Sequence, residues 1–351
     1  RLRLSNDRVP HMKPRFPDPL EQGDIVAVTS PSGGVPPALI PRLNFAVETV
    51  RSRGFDVIIG QCMDGSGVTS APVCQRAQEL QDFLLDPEIR AIIPPWGGEL
   101  AIDLLPHIDW QAVSEAEPTW VVGYSDTSTL LVPLTLKAGI ATIHGNNFLD
   151  TPFAVPEGLM GWMDIVSLPR GSSFTQDSPE RFRQGFVLYE SFPEIAEFDL
   201  TEEAYWVRLD GAGDVHVQGR LIGGCIETLG NLAGTPFAQT AELAHSRGDS
   251  LIVYVEAANA DAYEVCRTLH GMRLAGFFER ASAVLVGRTN APDCADMNQY
   301  DAVIDALGGL GVPIIADVEC GHVAPYMPLV NGAMAEVIAT ETESRIRQFL
   351  A

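Results

Sequence analysis

Lysine is almost missing from this 351-residue chain: Lys13 and Lys137 are the only two, and 46 acidic residues face 23 Lys plus Arg for a formal net charge of −23. Such a surface does not track a phosphate backbone, which argues against nucleic acid as a partner and leaves solubility as the plain use of the acidity. Cysteine is sparse and scattered. No two of Cys62, Cys74, Cys225, Cys266, Cys294 and Cys320 have the C-x-x-C spacing of a zinc or redox site. Free thiols of this kind suit a reducing cytoplasm, where the chain is expected to work. No stretch reaches the ~18 consecutive apolar residues of a membrane span, and no charged-then-apolar leader opens the sequence. Also missing is a G-x-G-x-x-G after the first strand-like run, where Ser30-Pro31-Ser32-Gly33-Gly34 stands instead. That argues against a dinucleotide-dependent oxidoreductase. No internal repeat is present. Neither a metal nor a cofactor is expected.

What is there is a hydrophobic content of 46%, ordinary for a globular protein with a real core. The run DIVAVTS at 24–30 reads as a buried strand, 39–53 repeats apolar residues at helical spacing, and Gly54 stops that helix before a second strand, FDVIIG. The pattern continues through a helix at 77–85, the run AIIPP ending at Trp96-Gly97-Gly98, a helical stretch around 100–105, TWVVGYSD, and an apolar helix from Thr127 to Lys137. Alternation of this sort predicts an α/β fold with a parallel, doubly wound sheet. From about Gly171 to Val215 the alternation is lost in a segment rich in Ser, Pro, acids and aromatics. A long irregular stretch is either a linker or functional, and its aromatics either anchor it to the core or stack on a ligand. A second domain begins near Val217, with strands LIVYVE, ASAVLVG and VPIIAD and helices at 261–269 and 300–307. The expected division is a tail at 1–18, a first domain at 19–170, an aromatic-rich connection at 171–215 and a second domain at 216–351.

Chemistry is most legible in Val121-Val122-Gly123-Tyr124-Ser125-Asp126, an apolar strand that stops at a small-residue turn and feeds a helix. It is half of the nucleophile-elbow pattern G-x-S-x-G, with Thr127 in place of the second glycine. A helix cap at Ser125 or Asp126 explains the same residues equally well. A serine hydroxyl needs a base, and the base an orienting acceptor. His322, after Gly321 and the strand VPIIAD, and His144, after a strand-like ATI, are the two candidates; Glu256, closing the apolar run LIVYVE, is an acid costly to bury without a partner, which a histidine N–H would provide. The amide of Gly98, or failing that Gly97, with that of Asp126 would serve a developing oxyanion. An ordinary tight turn at Gly97-Gly98 is the plainer alternative.

These residues carry a resemblance. SPSGG at 30–34, PPWGGELAIDLLPHIDW at 94–110, VVGYSDTSTLL at 121–131, GRLIGGCIETL at 219–229, LIVYVE at 251–256 and GHVAPYMPLVNGAMAEV at 321–337 resemble, in order, the LD-carboxypeptidase family of serine peptidases. The resemblance implies a Rossmann-like parallel-sheet N-terminal domain, a smaller mixed α/β C-terminal domain and a homodimer. It places the nucleophile on Ser125, the acid on Glu256, the histidine on His322 and the oxyanion amides on the WGG turn and Asp126. Two branches are familiar: peptidases that trim D-alanine from murein tetrapeptides at an L,D bond, and microcin C immunity peptidases that cut an aminoacyl- or peptidyl-nucleotide amide. The long aromatic segment and GGCIETL are more similar to the immunity branch, in which a loop aromatic stacks on the base; Tyr205 and Trp206 are the candidates, beside Trp96 and Gly97 in the cleft. The murein activity, and a catalytically silent small-ligand binder, are the alternatives.

Overall fold

The computed structural model describes residues 13–245 and 249–351. In chain order the strands are β1 (Ile25–Val28), β2 (Asp56–Ile59), β3 (Ile89–Ile92), β4 (Trp120–Gly123), β5 (Thr142–His144), β6 (Ser173–Asp177), β7 (Arg181–Phe182), β8 (Glu202–Glu203), β9 (Val207–Arg208), β10 (Val215–Cys225), β11 (Leu251–Glu256), β12 (Ala281–Gly287), β13 (Ile314–Val318), β14 (Leu329–Asn331), β15 (Met334–Ala339) and β16 (Ser344–Phe349). The helices are α1 (Ile40–Ser52), α2 (Val73–Leu85), α3 (Trp110–Glu115), α4 (Ser128–Lys137), α5 (Trp162–Val166), α6 (Ile226–Leu232), α7 (Thr240–His245), α8 (Ala262–Leu274) and α9 (Gln299–Leu307).

The first sheet runs β14-β5-β4-β3-β1-β2 and is parallel except for β14. Within it the order 2-1-3-4-5 is that of a doubly wound fold, whose ligands sit beyond the carboxyl ends of the strands at the point where the order reverses. Here that point lies between β1 and β3, and SPSGG and the WGG turn follow those two strands. α1 turns Leu43, Ala46, Val47 and Val50 inward at helical spacing, and Gly54, at φ 93, ends the turn that follows it. The second sheet, β6-β16-β15-β10-β11-β12-β13-β9, has a parallel centre from β10 to β13 and antiparallel flanks. The expected α/β fold of two Rossmann-like and mixed α/β domains is the observed one.

Sheet membership cuts across the expected boundaries. The segment 171–215 supplies both edges of the second sheet, β6 pairing with β16 and β9 with β13. Its sequence hid this because edge strands of two to five residues leave too few alternating positions to read. Conversely β14, late in the chain, returns to the first sheet beside β5. Of the expected tail, 1–12 lie outside the described residues, whereas Arg15 bridges Ile140 and Phe16 is buried. The stretch around 100–105 forms a 3-10 turn, Ala101–His107, with Pro106 inside it. Proline removes the N–H that an α-helix would need there.

Candidate active site

Ser125 lies one residue beyond β4, after Tyr124, and holds φ 61, one of two non-glycine residues with positive φ among those described. A left-handed serine costs energy that a well-packed neighbourhood must offset, as at a nucleophile elbow. The neighbourhood is tight: a Cβ on Gly97 would stand 2.8 Å from Ser125 Oγ and 3.0 Å from the Asp126 amide. Neither the 3-10 turn Ser125–Thr127 nor α4 has a side-chain cap bond at its N-cap, so capping does not account for the serine.

Three loops are pinned around it. The buried Asp126 carboxylate accepts from Ser32 Oγ (2.6 Å), Thr129 Oγ1 (3.1 Å) and the Ala101 amide (2.9 Å). Trp96 Nε1 donates to the Gly34 carbonyl at 2.9 Å, and buried Arg76 donates to Pro31 O at 2.7 Å while pairing with Asp103. Gly98 holds φ 144, and a Cβ there would meet Ser32 Oγ at 2.3 Å. Only glycine fits that contact. The Asp126 amide, in the first turn, has no intrahelical partner, and its nitrogen lies 3.0 Å from where a Cβ on Gly97 would stand.

Across the cleft, His322 Nδ1 donates to Glu256 Oε2 at 2.7 Å. All six residues of β11 are buried, and Glu256 ends the strand 1% exposed. Glycines make room for it, since a Cβ on Gly287 would lie 2.6 Å from the Glu256 Cβ and one on Gly321 3.2 Å from Oε2. Burial lowers the affinity of His322 for a proton, but the charge and hydrogen bond of Glu256, with Glu227 and Asp150 adding, raise it above the ordinary imidazole value. The Tyr124 ring packs edge-on at 4.8 Å from the His322 ring. Ser125 and His322 line one cleft of about 850 Å³, with no hydrogen bond between them among the described residues. Catalytic hydrogen bonds are often long without ligand.

His144, the second histidine considered, is 1% exposed and lies against Cys320 O at 2.8 Å through Nε2. A carbonyl accepts, so Nε2 carries the hydrogen, and burial lowers this residue's pKa. It steadies the Cys320-Gly321-His322 turn from below and does not line the cleft.

Tyr205 and Trp206, the aromatics expected to stack on a ligand, do not line the cleft. Trp206 Nε1 donates to Glu319 Oε2 at 2.9 Å, in a cluster where Ser178 and Arg288 hold the other oxygen. A carboxylate as buried as Glu319 needs such donors. Tyr205 is 64% exposed. Phe186, from the same segment, is the aromatic that reaches the cleft, joining Trp96 and Gly97. Glu227 was also unread in the sequence. Its Oε1 accepts from the amides of Ala258, Asn259 and Ala260 at 2.9–3.0 Å; burial raises its pKa, but the bonds from the Asn259 and Ala260 amides and from the Cys225 thiol together outweigh it and leave the pKa lowered. It lines the cleft with Glu99 and Glu264, and no Lys or Arg does so among the described residues.

The comparisons agree with this architecture. Family models for the LD-carboxypeptidase N-terminal domain and C-terminal domain match residues 26–145 and 218–337. Microcin C7 self-immunity protein MccF of Escherichia coli is 25% identical over 328 residues, 91% of this chain and 92% of that protein. A solved structure of MccF in complex with aspartyl sulfamoyl adenosine superimposes with a TM-score of 0.80 at 23% identity, covering 96% of this chain and 98% of that one. Muramoyltetrapeptide carboxypeptidase from Oxalobacter formigenes gives 0.67 at 18% identity, over 92% and 98%. With both domains matched in order over most of its length, and the strand ends converging on one cleft, this chain belongs to the LD-carboxypeptidase family of peptidases.

Proposed function

We propose that this chain is a metal-independent serine amidase in which Ser125 attacks, His322 moves the proton and Glu256 orients the imidazole. The observation that carries this reading is the strained Ser125 facing, across one cleft, a histidine already bonded to a buried carboxylate. In the first half-reaction His322 Nε2 takes the Ser125 Oγ proton as Oγ adds to the amide carbonyl. The Gly98 and Asp126 amides receive the oxyanion. The C–N bond then breaks, the proton passes from Nε2 to the leaving nitrogen, and an acyl-enzyme remains. Water repeats the cycle and frees the acid.

For the substrate, the stronger likeness to MccF supports an aminoacyl- or peptidyl-nucleotide amide of microcin C type, with Phe186 as the stacking ring. The charge of the cleft refines this. With Glu227, its pKa lowered, near His322 and no Lys or Arg among the described residues of the lining, the acyl group it accepts carries a free ammonium and is neutral or basic in its side chain, not acidic. One preparation is tested with a serine-directed fluorophosphonate and with alanyl, lysyl and aspartyl sulfamoyl adenosine, an N-acetylated alanyl analogue, and the murein tetrapeptide. Labelling at Ser125 with turnover in the order lysyl or alanyl above aspartyl is expected. Preference for the tetrapeptide would establish the murein activity instead, and absence of labelling would leave a binding protein.

A further inference from the structure

We propose that Cys266, His270 and Asp305 form a divalent metal site of zinc-type chemistry on the faces of α8 and α9, separate from the catalytic cleft. Cys266 and His270 stand four residues apart, so one face of α8 presents both side chains together. Asp305 meets them from α9, its Oδ1 lying 2.7 Å from His270 Nε2 and 3.4 Å from Cys266 Sγ. One donor atom from each residue lies within 4.8 Å of the other two. A tetrahedral zinc ion with bonds of about 2.0–2.3 Å spaces its donors roughly 3.3–3.7 Å apart. The sulfur–oxygen separation is therefore already that of a bound site, and the His–Asp contact has to open by less than about 1 Å. His270 and Asp305 are exposed enough to make that adjustment and to leave an entry path.

The donor set selects the ion. A thiolate with an imidazole and one carboxylate favours zinc, and cobalt(II) as its spectroscopic stand-in, over magnesium or calcium, which take oxygen ligands. Three protein donors leave a fourth position to water. Binding exchanges the Cys266 S–H for an S–metal bond and releases that proton to solvent, while the His270 hydrogen moves from Nε2 to Nδ1, so affinity rises with pH. Arg273, three residues after His270 on α8, is engaged with the Ala306 carbonyl at 2.9 Å. None of the three ligands lines the cleft, so the site is a clamp between two helices and not part of the proposed serine chemistry.

The full chain titrated with cobalt(II) at neutral pH, under reducing conditions without chelator, should take up one equivalent with a thiolate-to-cobalt charge-transfer band. Zinc should displace the cobalt and magnesium should not. Cys266→Ser should remove the band, and His270→Ala and Asp305→Asn should each weaken zinc binding at least about tenfold, the scale on which even outer-shell partners act. Circular dichroism checks that each variant stays folded, which surface changes of this kind permit. No thiolate band in the unmodified chain, or zinc binding of equal strength in Cys266→Ser and His270→Ala, would overturn the proposal. Ser125 labelling, unchanged in all of these samples, keeps the result independent of the catalytic reading.

Discussion

The two walls of the cleft are built by different means. The wall from the first sheet stores its function in backbone shape: Ser125 at φ 61, Gly98 at φ 144, and Gly97 pressed against the serine side chain. The wall from the second sheet stores its function in charge, with Glu256 buried behind His322 and Glu227, its pKa lowered, accepting from three amides. The first wall is therefore intolerant of an added methyl group. The second answers to pH and to the loss of one charge.

The largest effect tests whether the walls form one machine. Ser125→Ala should lower kcat/KM by ~10⁴ or more, His322→Ala by a similar factor, and the double variant by no more than either, because members of a triad act as a unit. Additive losses would separate the walls into independent sites. Chelator should leave the unmodified activity intact.

Next in size is Glu256→Gln, expected to cost about 10²–10⁴ in kcat/KM while keeping the fold. His322 must be neutral to act as a base. With its pKa raised, the acid limb of the kcat/KM profile should lie above the ordinary imidazole value, and in Glu256→Gln it should move down. Linkage gives the matching stability sign. A histidine whose folded pKa is raised contributes stability that is full below its unfolded value and lost as pH rises through the folded one. The Tm gap between the unmodified chain and Glu256→Gln should therefore be wider near about pH 5.5 than near about pH 9. A gap that widens with rising pH would refute the charge-built wall.

The same contrast governs what could be read in advance. Strand ends were legible because a buried strand is a run of apolar residues closed by a breaker, and Ser125, Glu256 and His322 each sit at or just beyond such a closure. Left-handed backbone at Ser125 was only half legible, since Thr127 stands where a second glycine would mark the elbow. Glu227 was missed because its partners, the amides of 258–260, lie some thirty residues away and carry no side-chain signature. The Cys266 and His270 pair is hidden for a different reason: it lacks C-x-x-C spacing, and C-x-x-x-H aligns two ligands only once the segment is known to be a helix. β15 and β16 are weak in the sequence because only alternate positions of each are buried, and in β16 Arg345 and Arg347 interrupt the apolar run.

A smaller effect comes from the backbone wall. Gly97→Ala would put a methyl carbon 2.8 Å from the Ser125 Cβ and Oγ and 3.0 Å from the Asp126 amide. The serine must shift, and a misplacement of about 1 Å costs on the order of a hundredfold in rate. The loss should fall on kcat, with the acid limb unmoved, since no charge has changed. An altered limb with unaltered kcat would show that the first wall also works through electrostatics.

The smallest effect separates the two aromatics of the 171–215 segment. Phe186, 60% exposed, lines the cleft, whereas the Trp206 indole is committed to Glu319. Stacking a base on one ring contributes ~1–3 kcal/mol, and about 1.4 kcal/mol is a factor of ten. Phe186→Ala should therefore lower kcat/KM for alanyl sulfamoyl adenosine about tenfold, mostly through KM, and leave the base-free analogue unchanged. Trp206→Ala should do the opposite. Removing its N–H leaves the buried Glu319 oxygen without that donor, at a cost of about 1–3 kcal/mol in stability, and base preference should persist. Burial raises the Glu319 pKa, so the variant's deficit should shrink as pH falls and the carboxyl takes up a proton. If Trp206→Ala abolished base preference without lowering Tm, the indole would have to swing from Glu319 into the cleft when substrate binds, and the assignment of Phe186 as the stacking ring would fall.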